Sequence, residues 1–551
     1  MSRAHCGLVM LGCVLRAQTD VSHSSQAAVS TALIEGHVFV DPGASPLRRA
    51  RVALRPLEAG LTALVAETGE KGEFALRDIA PGRYNLISSR DGYLDATTFT
   101  IGALRAPGSF YIGSGEHFSD VEFHLRPWAV VSGRIRFDDG EPAANVRVEL
   151  YREYRSRGRH SFSVFASAVT DDRGEYRIYG LQPGAYFFAA TYARQLAPGY
   201  TEQPQLDASG RELPTTGYTT TFYPNTTKLA ESQPIHLDYG KELNGIDLSL
   251  ALVRKVKFRG RVTSGVSGST LTSASVTLTR ADSSGFAGIA TDARPSFGRD
   301  GSFEIRSVSP GSYVVRVDAT DSGIALTGRT LITVGNDDLD NVELLASPAQ
   351  TWLGRIRGED GKSLPVNRVF RVDLEPRSDS GQAVQPDIRG TDFSMAVMRD
   401  EVYDVFVDNL PDDFYLSAVR IGGADVRSSG LPGNLASQTP FDIVLDSRGG
   451  KVSGLVFGPD GEVWSGANLM LLPEDPLKNL QSYRPGGADQ YGQFQIRGIA
   501  PGKYTLVAWL EAPSCDLYDA GNLEDCRVTG MPLSIAQADN QNVTLNVKRK
   551  P

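Results

Sequence analysis

The sequence predicts an all-β protein built from five tandem β-sandwich domains. A short motif, Pro-Gly-x-Tyr, returns four times, each time directly after a strand-like run. The 551 residues include 57 Gly and 30 Pro, and no long segment has a helical period. Such a composition suits many turns and few helices. Because self-similarity at a long spacing marks repeated modules, the motif sets the domain count.

The motif predicts a strand, a tight turn and a second strand. Its complete copies end at Tyr84, Tyr186, Tyr313 and Tyr504. A degenerate fifth copy is predicted at residues 410–415, where two Asp replace the glycine position and its neighbour. Pro presets φ at one turn position and Gly supplies positive φ at the next, so the chain reverses. The tyrosine then faces inward, and its hydroxyl needs a partner.

Each repeat opens with a Gly inside an apolar strand, which indicates a bulge or the close approach of another backbone. These glycines are Gly36, Gly133, Gly260, Gly354 and Gly454. About seven short strands per repeat are typical of a sandwich. We expect domains at 31–127, 128–252 with long loops, 253–346, 347–446 with the degenerate motif, and 447–551.

These motifs resemble the carboxypeptidase regulatory-like domain. The resemblance is carried by an opening G-x-[VI], as in Gly36-His37-Val38, by [FY]-x-[IL] before the turn, and by Pro-Gly-x-Tyr. It covers nearly all of the chain after residue 30 and implies transthyretin-like or immunoglobulin-like sandwiches, which are also grouped with carbohydrate-binding-like folds. In that family the module is an accessory of peptidases, outer-membrane receptors or other secreted proteins, and it has no active site.

The first residues predict export. Arg3 and the apolar run at 6–15 fit a short secretory signal at 1–17, and the Ser/Ala/Gln-rich residues 18–30 fit a flexible leader. Lipid anchoring at Cys13 is the alternative, although the residues before it match a lipobox poorly. After signal removal no transmembrane segment is expected. The protein is therefore expected to be secreted, periplasmic or on a bacterial-type cell surface.

Composition and motif searches argue against several classes of function. The formal net charge of −9 disfavours a general role in binding nucleic acid or anionic membranes. Neither His-Glu-x-x-His nor Gly-x-Ser-x-Gly occurs. We therefore expect no catalytic residues, no metal and no cofactor.

The second domain contains the candidate ligand-binding residues. It is the longest repeat and has two insertions rich in aromatic residues and Arg, at 151–160 and 192–224. Long loops on a rigid sandwich commonly carry function, and rings paired with guanidinium groups can hold a sugar or an acidic polymer. The candidates are Tyr151, Tyr154, Arg155, Arg157, Tyr200, Tyr218 and Tyr223. The alternative is that these loops pack over their own or a neighbouring domain.

Together these features predict a non-enzymatic, secreted or cell-surface protein that binds or scaffolds, with a glycan or a cell-surface protein as its partner. Two alternatives stay open: an accessory subunit of a secreted peptidase or other hydrolase, and a purely structural spacer. Aromatic side chains exposed on one face would favour binding over spacing.

Cys515 and Cys526 are expected to form a disulfide in an oxidising compartment, worth about 3 kcal/mol. A metal pair is the rival, but zinc needs further ligands that the sequence lacks nearby. In exported protein, alkylation followed by mass spectrometry should find both sulfurs unreactive until a reductant is added. Two free thiols in that sample would contradict the disulfide and weaken the case for export.

Overall fold

The computed structural model describes residues 31–547 except 98, 102–103, 107–108, 158, 193–207, 210–212, 282–293, 299, 360–363, 365–370, 378–383, 400, 436–439, 460, 476–479, 490, 511–516, 518–522 and 524–526. The predicted signal and leader, Tyr200, Cys515 and Cys526 lie outside the described residues. The described part contains forty-three β-strands and two 3-10 turns, at Leu229–Glu231 and Leu480–Ser482. The predicted all-β fold is confirmed.

Five large hydrophobic clusters, one for each tandem sandwich, define domains 1 to 5 in chain order. The strands of domain 1 are β1 (Ala32–Val40), β2 (Ser45–Pro46), β3 (Arg51–Pro56), β4 (Leu64–Glu67), β5 (Glu73–Ile79), β6 (Gly82–Ser89), β7 (Phe99–Ile101), β8 (Leu104–Ala106), β9 (Ser109–Ile112) and β10 (His117–Leu125). Domain 2 contributes β11 (Ala129–Arg136), β12 (Arg147–Ser156), β13 (Arg159–Val169), β14 (Glu175–Leu181), β15 (Gly184–Thr191), β16 (Thr215–Thr219), β17 (Thr221–Phe222), β18 (Ile235–Leu237), β19 (Glu242–Leu243) and β20 (Leu248–Ser249).

The remaining strands belong to the other three clusters. Domain 3 contains β21 (Ala251–Ser264), β22 (Ala274–Arg280), β23 (Arg294–Phe297), β24 (Ser302–Val308), β25 (Gly311–Asp321), β26 (Ile324–Val334) and β27 (Leu339–Pro348). Domain 4 contains β28 (Gln350–Gly358), β29 (Arg371–Pro376), β30 (Asp387–Arg389), β31 (Asp392–Val397), β32 (Val402–Asp408), β33 (Tyr415–Ile421), β34 (Ala424–Asp425), β35 (Leu431–Pro432) and β36 (Phe441–Asp446). Domain 5 contains β37 (Gly450–Phe457), β38 (Asn468–Pro473), β39 (Arg484–Gly487), β40 (Gln493–Ile499), β41 (Gly502–Trp509), β42 (Met531–Ile535) and β43 (Asn540–Asn546).

One pairing pattern is common to all five domains. The opening strand pairs antiparallel with the strand that precedes the turn motif, and it pairs parallel with a closing strand. The strand after the turn crosses to the second sheet, as β6 does when it pairs with β3. Because the opening and closing strands run parallel, the chain enters each domain at one end of the sheet and leaves it at the other.

The closing strand lies so close to the strand glycines of domains 1 and 3 that it leaves no space for a side chain there. A Cβ built on Gly260 would lie 1.8 Å from the carbonyl oxygen of Val342, and one on Gly36 would lie 1.8 Å from that of Val121. The register between β21 and β27 shifts between Phe258 and Gly260, and that between β21 and β24 shifts between Val256 and Phe258, so the strand is irregular at this point. The predicted close backbone approach is therefore confirmed in these two domains. In domain 4 the obstacle differs, since a Cβ on Gly354 would meet the Phe393 ring at 2.1 Å.

The four motif tyrosines are buried, and each hydroxyl donates a hydrogen bond to the carbonyl oxygen four residues earlier. The donor–acceptor distances are 2.9 Å for Tyr84, 2.8 Å for Tyr186, 2.8 Å for Tyr313 and 2.7 Å for Tyr504. Burial raises the pKa of Tyr84, Tyr186 and Tyr504 above the usual value. These tyrosines are packing corners, because each ring fills a core and each hydroxyl satisfies a turn carbonyl.

The predicted degenerate fifth copy of the motif, at residues 410–415, is wrong in its position. The residue that takes the motif place in domain 4 is Tyr403, which stands ten positions after Phe393, the same spacing as from Phe74 to Tyr84. Tyr403 is buried in β32, which pairs with β29 in the second sheet, and its hydroxyl accepts a bond from the Met398 amide at 3.1 Å.

Residues 410–415 lead from β32 into β33 and contact the start of domain 5. Strand β33 pairs with the closing strand β36 rather than with β29. The carbonyl oxygen of Asp413 accepts a hydrogen bond from the Gly449 amide at 2.9 Å, at the start of domain 5. The segment therefore belongs to the junction between domains 4 and 5.

Replacing Gly260 by Ala should lower the free energy of unfolding of domain 3 by about 1–3 kcal/mol, because the added methyl overpacks against β27. The matched control is Gly335→Ala, since a Cβ there meets nothing within 4 Å. Hydrogen exchange of the amides in β21 and β27 measures the local effect in a multi-domain chain. Equal protection in the two variants would contradict the proposed close approach.

Candidate functional site

The first insertion of domain 2 is a long hairpin. Strands β12 and β13 pair over ten residue pairs, from Arg147 opposite Val169 to Ser156 opposite Arg159. The corresponding hairpin of domain 1 has four pairs between β3 and β4. Arg157 occupies the turn with φ 51°, a left-handed conformation that few non-glycine residues adopt outside turns. The extra length carries this turn to domain 4.

The hairpin turn is anchored by one guanidinium group. Arg157 Nη1 donates to Glu375 Oε1 at 2.6 Å and to Asp373 Oδ2 at 3.3 Å, and Nη2 donates to Asp408 Oδ2 at 2.6 Å. The guanidinium carbon lies 4.3 Å from the centroid of the Phe406 ring. We call this set of five residues the Arg157 clasp.

Two of the three strands of the second sheet in domain 4, β29 and β32, place the acceptors. Asp373 and Glu375 are two positions apart on β29 and so share a face of the sheet. Phe406 on β32 is directly opposite Asp373, and Asp408 is opposite Arg371. Neighbouring positions of an antiparallel pair lie within reach of one long side chain, so a single guanidinium can contact all four residues.

Burial makes the clasp more than a surface ion pair. The side chain of Asp373 is 5% exposed and that of Arg157 is 23% exposed. Burial opposes the charge of Arg157, but its bonds to Glu375 and Asp373 and the nearby Asp408 raise its pKa above the usual value. A buried carboxylate without a cation is costly, so Asp373 requires its arginines, of which Arg371 is the second, at 3.2 Å.

The other predicted residues of the hairpin differ in environment. Tyr151 is buried against Phe222, and its hydroxyl donates to Glu149 Oε2 at 2.6 Å. Tyr154 is 48% exposed. Arg155 lies on β12 opposite His160. Among the hairpin candidates with a described side chain, Tyr154 is exposed to solvent and Arg157 contacts another domain.

The described part of the second insertion contacts its own domain and, through β16, pairs with β21 at the start of domain 3. Tyr218 lies on β16, and its ring centroid is 4.9 Å from that of Phe137. The hydroxyl donates to Asp138 Oδ1 at 2.7 Å, and burial together with that carboxylate raises the pKa of Tyr218 to about 12. Tyr223 is half-buried against the domain 2 core. The structure thus disperses the candidate residues, and their role in ligand binding stays a prediction.

Sequence reasoning missed the acidic side of the clasp. Asp373, Glu375 and Asp408 lie on strands whose other positions are largely apolar, and charged residues at such positions need a partner. That was the available signal. Nothing in the sequence connects them to Arg157, which is 216 positions from Asp373.

Other charged clusters in the described residues are also paired. Asp337, in the turn before β27, contacts Arg254 at 3.6 Å, and Asp340, within β27, contacts Arg259 at 2.9 Å. Within the described ranges, no group of three or more His, Cys, Asp or Glu residues is arranged to hold a metal. No helix among the described residues is long and apolar enough to cross a membrane.

No protein-family model matches the chain, and no curated protein matches its sequence. The resemblance to the carboxypeptidase regulatory-like domain is therefore supported for the β-sandwich repeat, not for the family.

Among solved structures, the chain is similar to a streptococcal ancillary pilin at 12% identity and a TM-score of 0.23, covering 58% of this chain and 99% of that one. It is also similar to GBS52, a minor pilin of Streptococcus agalactiae, at 12% identity and a TM-score of 0.21, covering 40% and 95%. A third similar structure is BcpA, the major pilin subunit of Bacillus cereus, at 10% identity and a TM-score of 0.15, covering 77% of this chain and 100% of that one. Similarities this weak do not identify a function.

Arg157→Ala should weaken the attachment of the hairpin to domain 4 by about 2 kcal/mol or more, because it leaves buried carboxylates without their cation. Hydrogen exchange at the outer amides of β12 and β13 should then accelerate roughly 30-fold. Arg147→Ala is the control, since Arg147 lies on the same strand, is 67% exposed and contacts Glu149 only at 3.9 Å. Unchanged exchange in Arg157→Ala would show that the clasp does not hold the hairpin.

Proposed function

We propose that this chain is an exported, non-enzymatic scaffold whose sandwich domains are held in a fixed arrangement and present a binding surface. The observation that supports this most is the Arg157 clasp, in which a hairpin of domain 2 reaches past the next domain in sequence to domain 4. A chain of freely jointed modules has no need for a buried charge cluster between non-adjacent domains.

Contacts at the sequential junctions support the same proposal. Strand β16 of domain 2 pairs with the first residues of β21, so the two domains share a ladder from Thr215 opposite Lys255 to Thr219 opposite Ala251. Between domains 3 and 4, Arg329 Nη1 lies 3.4 Å from Glu401 Oε2. Ladder hydrogen bonds are directional, so a shared ladder restricts rotation between domains more than a polar contact alone.

A third junction, between domains 4 and 5, restrains domain 5. The Gln481 side-chain amide donates to the Val405 carbonyl oxygen at 3.2 Å, and that of Gln537 donates to Asp446 Oδ2 at 2.8 Å. Asp446 also accepts bonds from Arg448 and is 4% exposed. Such fully partnered buried groups fix one geometry, because breaking any bond leaves a desolvated polar atom.

The perturbed carboxylates favour a structural role over catalysis. Burial opposes the charge of Glu304, Asp425 and Asp446, but arginine partners lower the pKa of each below its usual value. A general acid or base needs a pKa near the working pH, and these groups are shifted away from it. The accessory-subunit alternative gains no specific support from these contacts.

Expression of the full chain in a bacterial host tests the proposed export. If the signal at 1–17 is functional, mass spectrometry of the periplasmic or culture fraction should find a mature chain beginning at Gln18. A lipidated chain beginning at Cys13 would still be exported, by the alternative route. A full-length chain confined to the cytoplasm would contradict the proposal.

A further inference from the structure

The segment that joins domains 1 and 2 is clamped from both sides. The Trp128 amide donates to the Gly92 carbonyl oxygen at 3.2 Å, and the Leu94 amide donates to that of Arg126 at 2.9 Å, so both bonds tie the segment to domain 1. On the other side the Gly240 amide donates to the Pro127 carbonyl oxygen at 3.0 Å. Residues 126–128 are thus held by two domains, and side chains on them are preorganised.

Two aromatic side chains flank this segment. The Trp128 and Tyr179 ring centroids are 5.4 Å apart at an interplanar angle of 38°. The guanidinium carbon of Arg126 lies 4.6 Å from the centroid of the Tyr239 ring. Pro127 forms an isolated β-bridge with Tyr93, so the segment is extended there, and Arg126 and Trp128, two positions apart, share a face. We call these two side chains and their ring partners Tyr179 and Tyr239 the aromatic row.

The rings of the aromatic row are open to solvent. Tyr179 is 61% exposed, Tyr239 is 37% exposed and Trp128 is half-buried. A Cβ built on Gly180, beside Tyr179, would lie 4.0 Å from the Trp128 ring, so the indole covers bare backbone there. The indole is half-buried, so part of it stays accessible to a ligand. Large apolar side chains exposed together can mark a binding site, whereas single exposed ones are ordinary.

Local charge in the row is balanced. Arg126 Nε donates to Asp41 Oδ2 at 2.7 Å, and Arg177 on β14 lies 3.7 Å from Glu242. Arg126 and Arg177 are therefore each paired with a carboxylate, which lowers the attraction of the row for an acidic polymer. The exposed Asp238 and Lys241 beside Tyr239 can exchange hydrogen bonds with hydroxyl groups.

From these contacts we propose that the aromatic row is a binding site for a neutral glycan. Pyranose rings present C–H faces that stack on aromatic rings and hydroxyl edges that bond to polar neighbours, which is the chemistry of this row. A protein partner is disfavoured, because Lys and Asp are depleted at the centre of protein interfaces, whereas the exposed Asp238 and Lys241 lie beside Tyr239. This proposal assigns a class of ligand to the proposed scaffold, and so it rests on the proposed function.

The test uses the mature full-length chain in affinity electrophoresis against neutral polysaccharides (β-glucan, xylan, mannan and chitin oligosaccharides) and against alginate and heparin. At least one neutral glycan should retard the wild-type chain and alter its tryptophan emission. Tyr179→Ala should weaken that binding about tenfold, and Trp128→Ala should abolish it. Because Tyr179 is mostly exposed, its replacement should leave the melting temperature unchanged.

The matched control is Tyr491→Ala in domain 5, since Tyr491 is 60% exposed and lies far along the chain from the row. It should bind as the wild type does. The proposal is overturned if no neutral glycan binds, if the acidic polymers bind better, or if binding survives Tyr179→Ala. Any of these results leaves the scaffold proposal standing as long as the Arg157 clasp and export are intact, so the two failures are distinguishable.

Discussion

The parallel pairing of opening and closing strands is the constraint on which each domain depends. It brings the closing backbone so close to the opening strand that only glycine fits at positions such as Gly260. The same pairing places the two ends of a domain at opposite ends of its sheet. Tandem repetition therefore produces sequential junctions in which the last strand of one sandwich leads directly into the first strand of the next.

Junctions of this kind would allow rotation if nothing else joined the domains. Two types of polar contact also join the domains. Hydrogen bonds connect neighbouring domains, as from the Gly449 amide to the Asp413 carbonyl oxygen, and the Arg157 clasp connects domains 2 and 4. The clasp differs from an exposed ion pair, which typically contributes about 0–1 kcal/mol, because Asp373 is nearly excluded from water. Its stabilisation comes from avoiding an unpaired buried charge, so the hairpin and domain 4 depend on each other.

The repeat was predictable because its signals are local. Pro-Gly turns, strand glycines and alternating apolar residues each depend on a few consecutive residues. The degenerate fifth copy was misplaced because domain 4 keeps the tyrosine but not the Pro-Gly before it, whereas the ten-residue spacing from Phe393 to Tyr403 is retained. Counting from the aromatic residue would have found the correct position. The candidate site was harder to predict, because composition shows that the second domain is rich in tyrosine and arginine but not which rings are packed.

Tyr151 is buried, whereas Tyr179, which belongs to no insertion or motif, is exposed. The exposure of these rings and the pairing of Arg157 with Glu375 depend on contacts between segments distant in sequence, so no local sequence pattern predicts them.

The most direct test of the fixed arrangement is a distance between domains 2 and 4 in solution. Nitroxide labels on a non-canonical amino acid at Ser163 of β13 and at Ser429, both exposed, would report it without using the native cysteines. If the clasp holds, pulsed electron paramagnetic resonance should give one narrow distance distribution in the wild-type background. A broad distribution extending over several nanometres would show that domains 2 and 4 move independently, and it would contradict the fixed arrangement of the sandwiches.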